Sequence, residues 1–437
     1  MNPPSFASPS WPDHSSVTGE APRATSGWNL RSLYFCGLAF LVGLLHPWTI
    51  SLVGQLPIGE LVILFLIGQT LLLTALTARL PALPSPRVLC FFAAVQVIAL
   101  LSYVVSDLYR GSLPVDMIRG WSRMVFLLAD MFGFAILLGA DPRAFAWQQA
   151  GFGFSFIQVI LVPPLFGDYW KFGFGFPLTA LALMAVPYFS GRAAIAGTLA
   201  TLVGLGGLHT AMGFRSAGGA CWVIAALLAL RYIPLRLRQG MMLAGMAAIV
   251  IASPHMVAHT FTSESARANR SNIERGAMLQ AAWEAVSESP LIGQGSWFSK
   301  SNVTDNFVLI RRAAAQENRG SIGFDESDIE EVAIHSQILA SLAEGGIFGG
   351  MFFICYGLGI LWGIWHTLGA APWSWLLPTR LFLFVTSFWD ILMTPFSGPI
   401  RLNIALVAVL VCVCWSERRQ SSVITAFRTS DTRESND

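Results

Sequence analysis

VLCFFAAVQVIALLSYVVS, residues 88–106, holds no Asp, Glu, Lys, Arg or His. As a helix rising about 1.5 Å per residue, a run of this length matches the roughly 30 Å hydrocarbon core of a bilayer. Comparable apolar runs recur at 33–53, 56–78, 120–139, 148–165, 173–190, 193–211, 217–233, 240–258, 345–367, 374–395 and 400–416. They predict an all-α, polytopic transmembrane helical bundle of about twelve spans, with one large loop containing short helices. The chain then divides into a disordered tail (1–32), spans one to nine (33–258), the loop (259–344), spans ten to twelve (345–416) and a second tail (417–437).

Composition points the same way. Of 437 residues, 54% are hydrophobic and 12% charged, about half the charged share of a soluble domain. Lipid is therefore the solvent for most of the chain. The net charge of +2 gives no electrostatic case for nucleic acid. The six cysteines, Cys36, Cys90, Cys221, Cys355, Cys412 and Cys414, all lie in apolar stretches, so no disulfide framework is implied. Residues 1–27 are rich in Ser, Pro and Thr and lack the early apolar core of a signal peptide.

Arginine and lysine concentrate in the cytoplasmic loops of membrane proteins. With the N-terminus inside, Arg23, Arg31, Arg79, Arg87, Arg143, Arg192, Arg231, Arg236, Arg238, Arg418 and Arg419 are cytoplasmic. Arg110, Arg119, Arg123, Lys171, Arg215 and Arg401 fall outside, eleven against six. This orientation puts 259–334 on the outer face. The outer arginines oppose the usual bias, and Arg123 and Arg215 sit near the ends of apolar runs. An arginine so placed either faces an interior cavity or bound partner, or snorkels to the headgroups.

The loop carries its own structural signals. Ser271 and Glu274 form a capping box, and apolar residues then recur at helical spacing from Ile273 to Val286. Pro290 closes that helix, and the turn Leu291-Ile292-Gly293-Gln294-Gly295 follows. A second helix is expected from Ile334 through Leu342, broken by Gly345 and Gly346 before the next span. The acidic run 325–331 between the helices reads as a solvated surface.

No phosphate-binding glycine-lysine loop and no dinucleotide fingerprint is present, and the sequence calls for no cofactor. His255 and His259 are four apart but lack a nearby third ligand, so no metal site is assigned. Arg275, early in the first loop helix, His335, at the start of the second, and Arg215 at a span end are better candidates. Guanidinium forks bind phosphate oxygens bidentately, and a neutral imidazole can take a proton from an attacking hydroxyl. Together they suit a diphosphate leaving group at a membrane surface. The plainer alternative has His335 capping its helix and Arg275 paired with a nearby Glu.

Two segments resemble the O-antigen ligase and polysaccharide polymerase superfamily. Glu274-Arg275-Gly276 through Trp283, then Ser289-Pro290-Leu291-Ile292-Gly293-Gln294-Gly295, is similar to that family's arginine, amphipathic helix and PLxGxG turn. Ile334-His335-Ser336-Gln337-Ile338-Leu339 through Glu344-Gly345-Gly346-Ile347-Phe348-Gly349 is similar to its histidine helix ending in EGGxxG. Phe214-Arg215-Ser216-Ala217-Gly218 is a weaker likeness to its outer arginine motif. Two places depart from the pattern: Ser336-Gln337 where many ligases have Asn after the histidine, and Phe214 where a small residue is common.

The resemblance implies a metal-independent, inverting glycan transferase of the bacterial inner membrane with a periplasmic loop. Its donor would be an undecaprenyl-diphosphate-linked glycan. Its acceptor would be a sugar hydroxyl on lipid A core (ligase) or on another lipid-linked glycan (polymerase). Arg215 and Arg275 would hold the diphosphate, and His335 would orient or deprotonate the acceptor. Arg119, Arg123, Glu344 and Asp390 are expected to line the substrate site, Asp390 as the match to a family acid. The alternatives are a transporter or flippase of lipid-linked glycan and a protein O-oligosaccharyltransferase.

Overall fold

The computed structural model describes residues 29–51, 55–161, 169–190, 193–234, 237, 240–241, 266–298, 334–369 and 374–434. The expected span at 240–258, His255, His259 and the acidic run 325–331 lie largely or wholly outside them, as does most of the N-terminal tail. Helices dominate: α1 (Leu30–Leu44), α2 (Ile58–Thr77), α3 (Pro86–Arg110), α4 (Pro114–Ala140), α5 (Ala144–Phe154), α6 (Ile157–Leu161), α7 (Gly175–Phe189), α8 (Ala194–Ala211) and α9 (Arg215–Ala229) precede the loop. Then come α10 (Ala266–Glu288), α11 (Gln337–Gly369), α12 (Leu377–Met393) and α13 (Gly398–Glu434). Among the described residues, six helices are long and apolar enough to cross a membrane: α2, α3, α4, α8, α11 and α13; α1, α7 and α9 are shorter apolar helices.

The sequence explains most helix boundaries. Pro86 and Pro114 open α3 and α4, where a missing N–H costs nothing. The first apolar run does not continue to residue 53. Its helix stops at Leu44, because His46 precedes Pro47 and the α region is disfavoured before proline. The chain then forms a two-stranded antiparallel hairpin, Thr49–Ser51 with Gln55–Pro57, in which Ile50 pairs with Leu56. The 148–165 run divides between α5 and α6 at a turn where the Ser155 N–H donates to the Phe152 carbonyl at 3.1 Å. At the other end of the chain the last helix does not stop at Glu417 but runs to Glu434; no Gly or Pro interrupts it.

Close helix approach depends on small residues, as lipid-embedded packing requires. A Cβ on Gly43 of α1 would lie 2.0 Å from the Gln148 carbonyl oxygen of α5, and one on Gly151 would lie 2.0 Å from that of Phe40. The first half of α13 is the innermost element: Ile404 through Leu410 are all buried. At its first turn Arg401, expected in a loop, is instead a buried cation. It donates through Nε and Nη2 to the Glu60 carboxylate of α2 at 2.7 and 2.6 Å. Asp130 of α4 lies 3.8 Å from the same Nε. The arginine thus ties α13 to α2, with α4 alongside.

Candidate active site

The site is built where the loop segment after α10 lies against the membrane helices. Alanines make the first contact. Ala277, Ala281, Ala282 and Ala285 of α10 pack on Ile334, Ala340 and Ala343, so α10 lies along the first turns of α11. The chain then enters the Gly-rich turn, where Gly293 and Gly295 have φ of +85° and +87°. The Gln294 and Gly295 N–H groups donate to the Ala343 and Glu344 carbonyls at 2.8 and 3.0 Å, and Ile347 N–H returns a bond to the Pro290 carbonyl at 2.8 Å. Gly346, at φ +66° and ψ −165°, kinks α11 there. Only glycine adopts that backbone readily. The kink frees the carbonyls of residues 343–345 from the helix, and the turn and α3 satisfy them.

Two buried carboxylates fasten the turn to the bundle. Asp107, at the end of α3, accepts from Ser296 N–H (2.6 Å), Ser296 Oγ (2.8 Å) and Trp121 Nε1 (2.7 Å). Glu344 accepts from Arg123 Nη2 (2.6 Å) and Tyr103 Oη (2.7 Å) on one oxygen and from Trp297 N–H (3.1 Å) on the other. Ser106 Oγ and Ser102 Oγ cap the Glu344 and Gly345 carbonyls at 2.8 and 2.5 Å. Arg110 Nε donates to the Gly293 carbonyl at 2.9 Å. The Arg123 guanidinium also stands over the rings of Trp297 (4.9 Å), Phe396 (5.8 Å) and Tyr103 (5.9 Å). Its charge is therefore matched by one carboxylate and by three aromatic faces.

His335 sits half-buried between α10 and α11, its Nδ1 3.0 Å from the Met278 sulfur. A thioether only accepts, so in this contact the imidazole is the donor through Nδ1. Arg275 belongs to α10 three residues before Met278, about 4.5 Å along the axis. The next residue, Ser336, reaches the Ile391 carbonyl of α12 at 3.5 Å. That carbonyl adjoins Asp390, whose carboxylate accepts from Thr394 Oγ1 at 3.0 Å.

Of the residues expected from sequence, Arg123 and Glu344 are in direct contact. His335 and Asp390 lie in segments joined through Ser336, and Arg275 lies one helical turn from the Met278–His335 contact. Arg119 is on α4, one turn before Arg123, and its carbonyl accepts from Ser122 Oγ at 3.0 Å. Arg215 begins α9 with its side chain exposed, and α9 packs on α12. Among the described residues the donors to Asp107 and Glu344 do not include it. Sequence reasoning missed Asp107, Tyr103, Trp121, Ser296 and Trp297. Asp107 had a signal: it is an acid at the end of the 88–106 run, and buried charge at a span end marks a site whichever its sign.

A polytopic helical bundle with a loop helix, a Gly-rich turn and a histidine-bearing helix docked on its membrane helices is the class that fold and site define. Residues 177–354 match the family model described as O-antigen ligase. The match supports the O-antigen ligase and polymerase superfamily, and with it a membrane glycan transferase of that general type. It includes Arg215, Arg275, the turn, His335 and Glu344; Asp107, Arg119, Arg123 and Asp390 lie outside it. No curated protein matches the chain.

Proposed function

We propose that the chain transfers a glycan from undecaprenyl diphosphate to a sugar hydroxyl at the periplasmic face of a bacterial inner membrane. The observation that carries this reading is the packing of the arginine-bearing α10 on the His335 end of α11. The match to an O-antigen ligase model over the same segment supports it.

In this mechanism the acceptor hydroxyl gives its proton to the His335 imidazole as its oxygen attacks the anomeric carbon. The bond from that carbon to the diphosphate oxygen breaks with inversion, and the electron pair leaves on the diphosphate. Arg215 and Arg275 stabilise that growing charge, as fixed cations in a water-poor site do best. Asp390 and Arg119 line the acceptor and donor approaches. Arg123, held by Glu344, fixes the Gly-rich turn beside the site without binding the donor directly. Lipid A core sugar and a second lipid-linked repeat are both sugar hydroxyls and use the same chemistry.

The test is transfer by purified protein in micelles, supplied with lipid-linked donor and acceptor on the same face. Arg275→Ala and His335→Ala should lose turnover while the protein remains folded. Undiminished turnover in either variant would remove that residue's role. Absence of transfer by the native chain, with transport of the same donor across vesicles, would replace the reading with a flippase. In cells lacking the chain, long glycans stranded on the carrier indicate a ligase, and single repeats indicate a polymerase.

A further inference from the structure

His209, in the last turn of α8, is fully buried and has both ring nitrogens occupied. Trp170 Nε1 lies 3.0 Å from Nδ1. An indole nitrogen only donates, so Nδ1 accepts and the ring proton is on Nε2. Nε2 lies 2.8 Å from Thr179 Oγ1, which itself donates to the Gly175 carbonyl at 2.7 Å. The chain of donors runs one way, from Trp170 through His209 and Thr179 to a backbone carbonyl. A protonated imidazolium would set N–H against N–H at Trp170. His209 is thus a fixed neutral ring, with no free nitrogen for acid–base work.

The same residue builds the turn that leads to Arg215. Its carbonyl accepts the Phe214 N–H at 2.7 Å, and Gly213, at φ +77°, closes the turn. Its ring meets the Phe214 ring edge-on at 5.6 Å and 90°, and Phe214 meets Phe176 edge-on at 4.9 Å and 89°. Gly175 leaves room for this: a Cβ there would lie 3.2 Å from both His209 Cε1 and Phe214 Cδ1. Trp170 belongs to a five-residue π-helical turn, Trp170–Phe174, and such turns often mark functional sites. Phe214, the residue that departs from the family pattern, is buried in this cluster with Arg215 next in the chain.

We propose that His209 is a positioning residue which, clamped between Trp170 and Thr179, wedges Phe214 and thereby sets how Arg215 meets the diphosphate of a lipid-linked donor. This rests on the proposed transfer reaction and on the Arg215 role within it. The experiment is a double-mutant cycle on purified protein, with donor and acceptor varied separately. His209→Ala should lower kcat/KM for the lipid-linked donor by roughly 10²-fold, the scale of a small misplacement, and leave the acceptor KM unchanged. His209→Gln, which can accept from Trp170 and donate to Thr179, should restore most of the loss, with the pH profile of the native protein. His209→Ala/Arg215→Ala should be no worse than Arg215→Ala alone. If His209→Ala does not fold, Trp170→Phe, which removes one hydrogen bond, takes its place in the cycle. Additive losses, or a raised acceptor KM, would overturn the His209 role and leave the transfer reading standing. Full activity in Arg215→Ala would overturn the Arg215 assignment and this proposal together.

Discussion

Replacing Glu344 with Gln should undock the Gly-rich turn while leaving the rest of the bundle in place. The carboxylate is 3% exposed and its partner Arg123 is 12% exposed, so the charge pair has little contact with water. Gln keeps the shape but offers one acceptor oxygen in place of two, and its amide nitrogen donates. It can satisfy Tyr103 or Trp297 N–H, but it cannot neutralise Arg123. Removing one member of a buried pair costs roughly 3–5 kcal/mol, because the other charge stays buried and unmatched. At about 1.4 kcal/mol per factor of ten, the turn should open roughly 10²-fold to several thousand-fold more often. Amide hydrogen exchange over residues 290–298, measured in lipid nanodiscs, reads this directly, because local opening governs exchange there. Gln294, Gly295, Ser296 and Trp297 N–H groups, all hydrogen-bonded in the native chain, should exchange faster by that factor. Arg123→Gln/Glu344→Gln should recover part of the loss, since no charge is then left behind. Unchanged protection in Glu344→Gln, or a double variant as poor as the sum of the two, would refute the clamp.

Gly346→Ala should give little folded protein, because its Cβ would lie 2.2 Å from the Leu291 carbonyl oxygen at a φ of +66°; normal yield and melting temperature would count against the kink as described. Glu60→Gln should destabilise by roughly 3–5 kcal/mol, because Arg401 would lose its bidentate anion. Asp130→Asn should be nearly silent in the same denaturation series, since Asp130 accepts no hydrogen bond among the described residues and lies 3.8 Å from the guanidinium. Asp141, just beyond α4, tests acid stability: burial raises its carboxyl, but bonds from Arg143 outweigh this and hold it below the usual 3.8. A depressed folded value means the stabilisation is present above that range and is lost as pH falls through the folded value. The gap in melting temperature between the native chain and Asp141→Asn should therefore be constant near neutrality and close below about pH 4; a gap that widens in acid would reverse the assignment.

Much of the architecture was legible in the chain because bilayer thickness is a length that sequence can match. Runs such as 56–78, 88–106 and 193–211 became α2, α3 and α8 with ends shifted by a few residues, and Pro290 lies just past the end of the loop helix; the Ser271–Glu274 box does not start that helix, which already includes Ala266. The break at Gly345–Gly346 was likewise visible, since glycine is a local signal. Local signals failed where a long-range contact decided the outcome. Arg401 looked like a loop cation until Glu60, 341 residues away in sequence, received it. Glu344 had no visible partner until Tyr103, 241 residues earlier, Arg123 and Trp297 came to lie on its oxygens. Asp107 had no visible role until Ser296, 189 residues later, came to rest on it. Hydropathy and helical period set which segments enter lipid and where they break, because both act over one or two turns. Which buried carboxylate meets which arginine, indole or backbone amide depends on helix packing, since partners so far apart in sequence leave no periodic trace and are selected only when the folded bundle withdraws water from them.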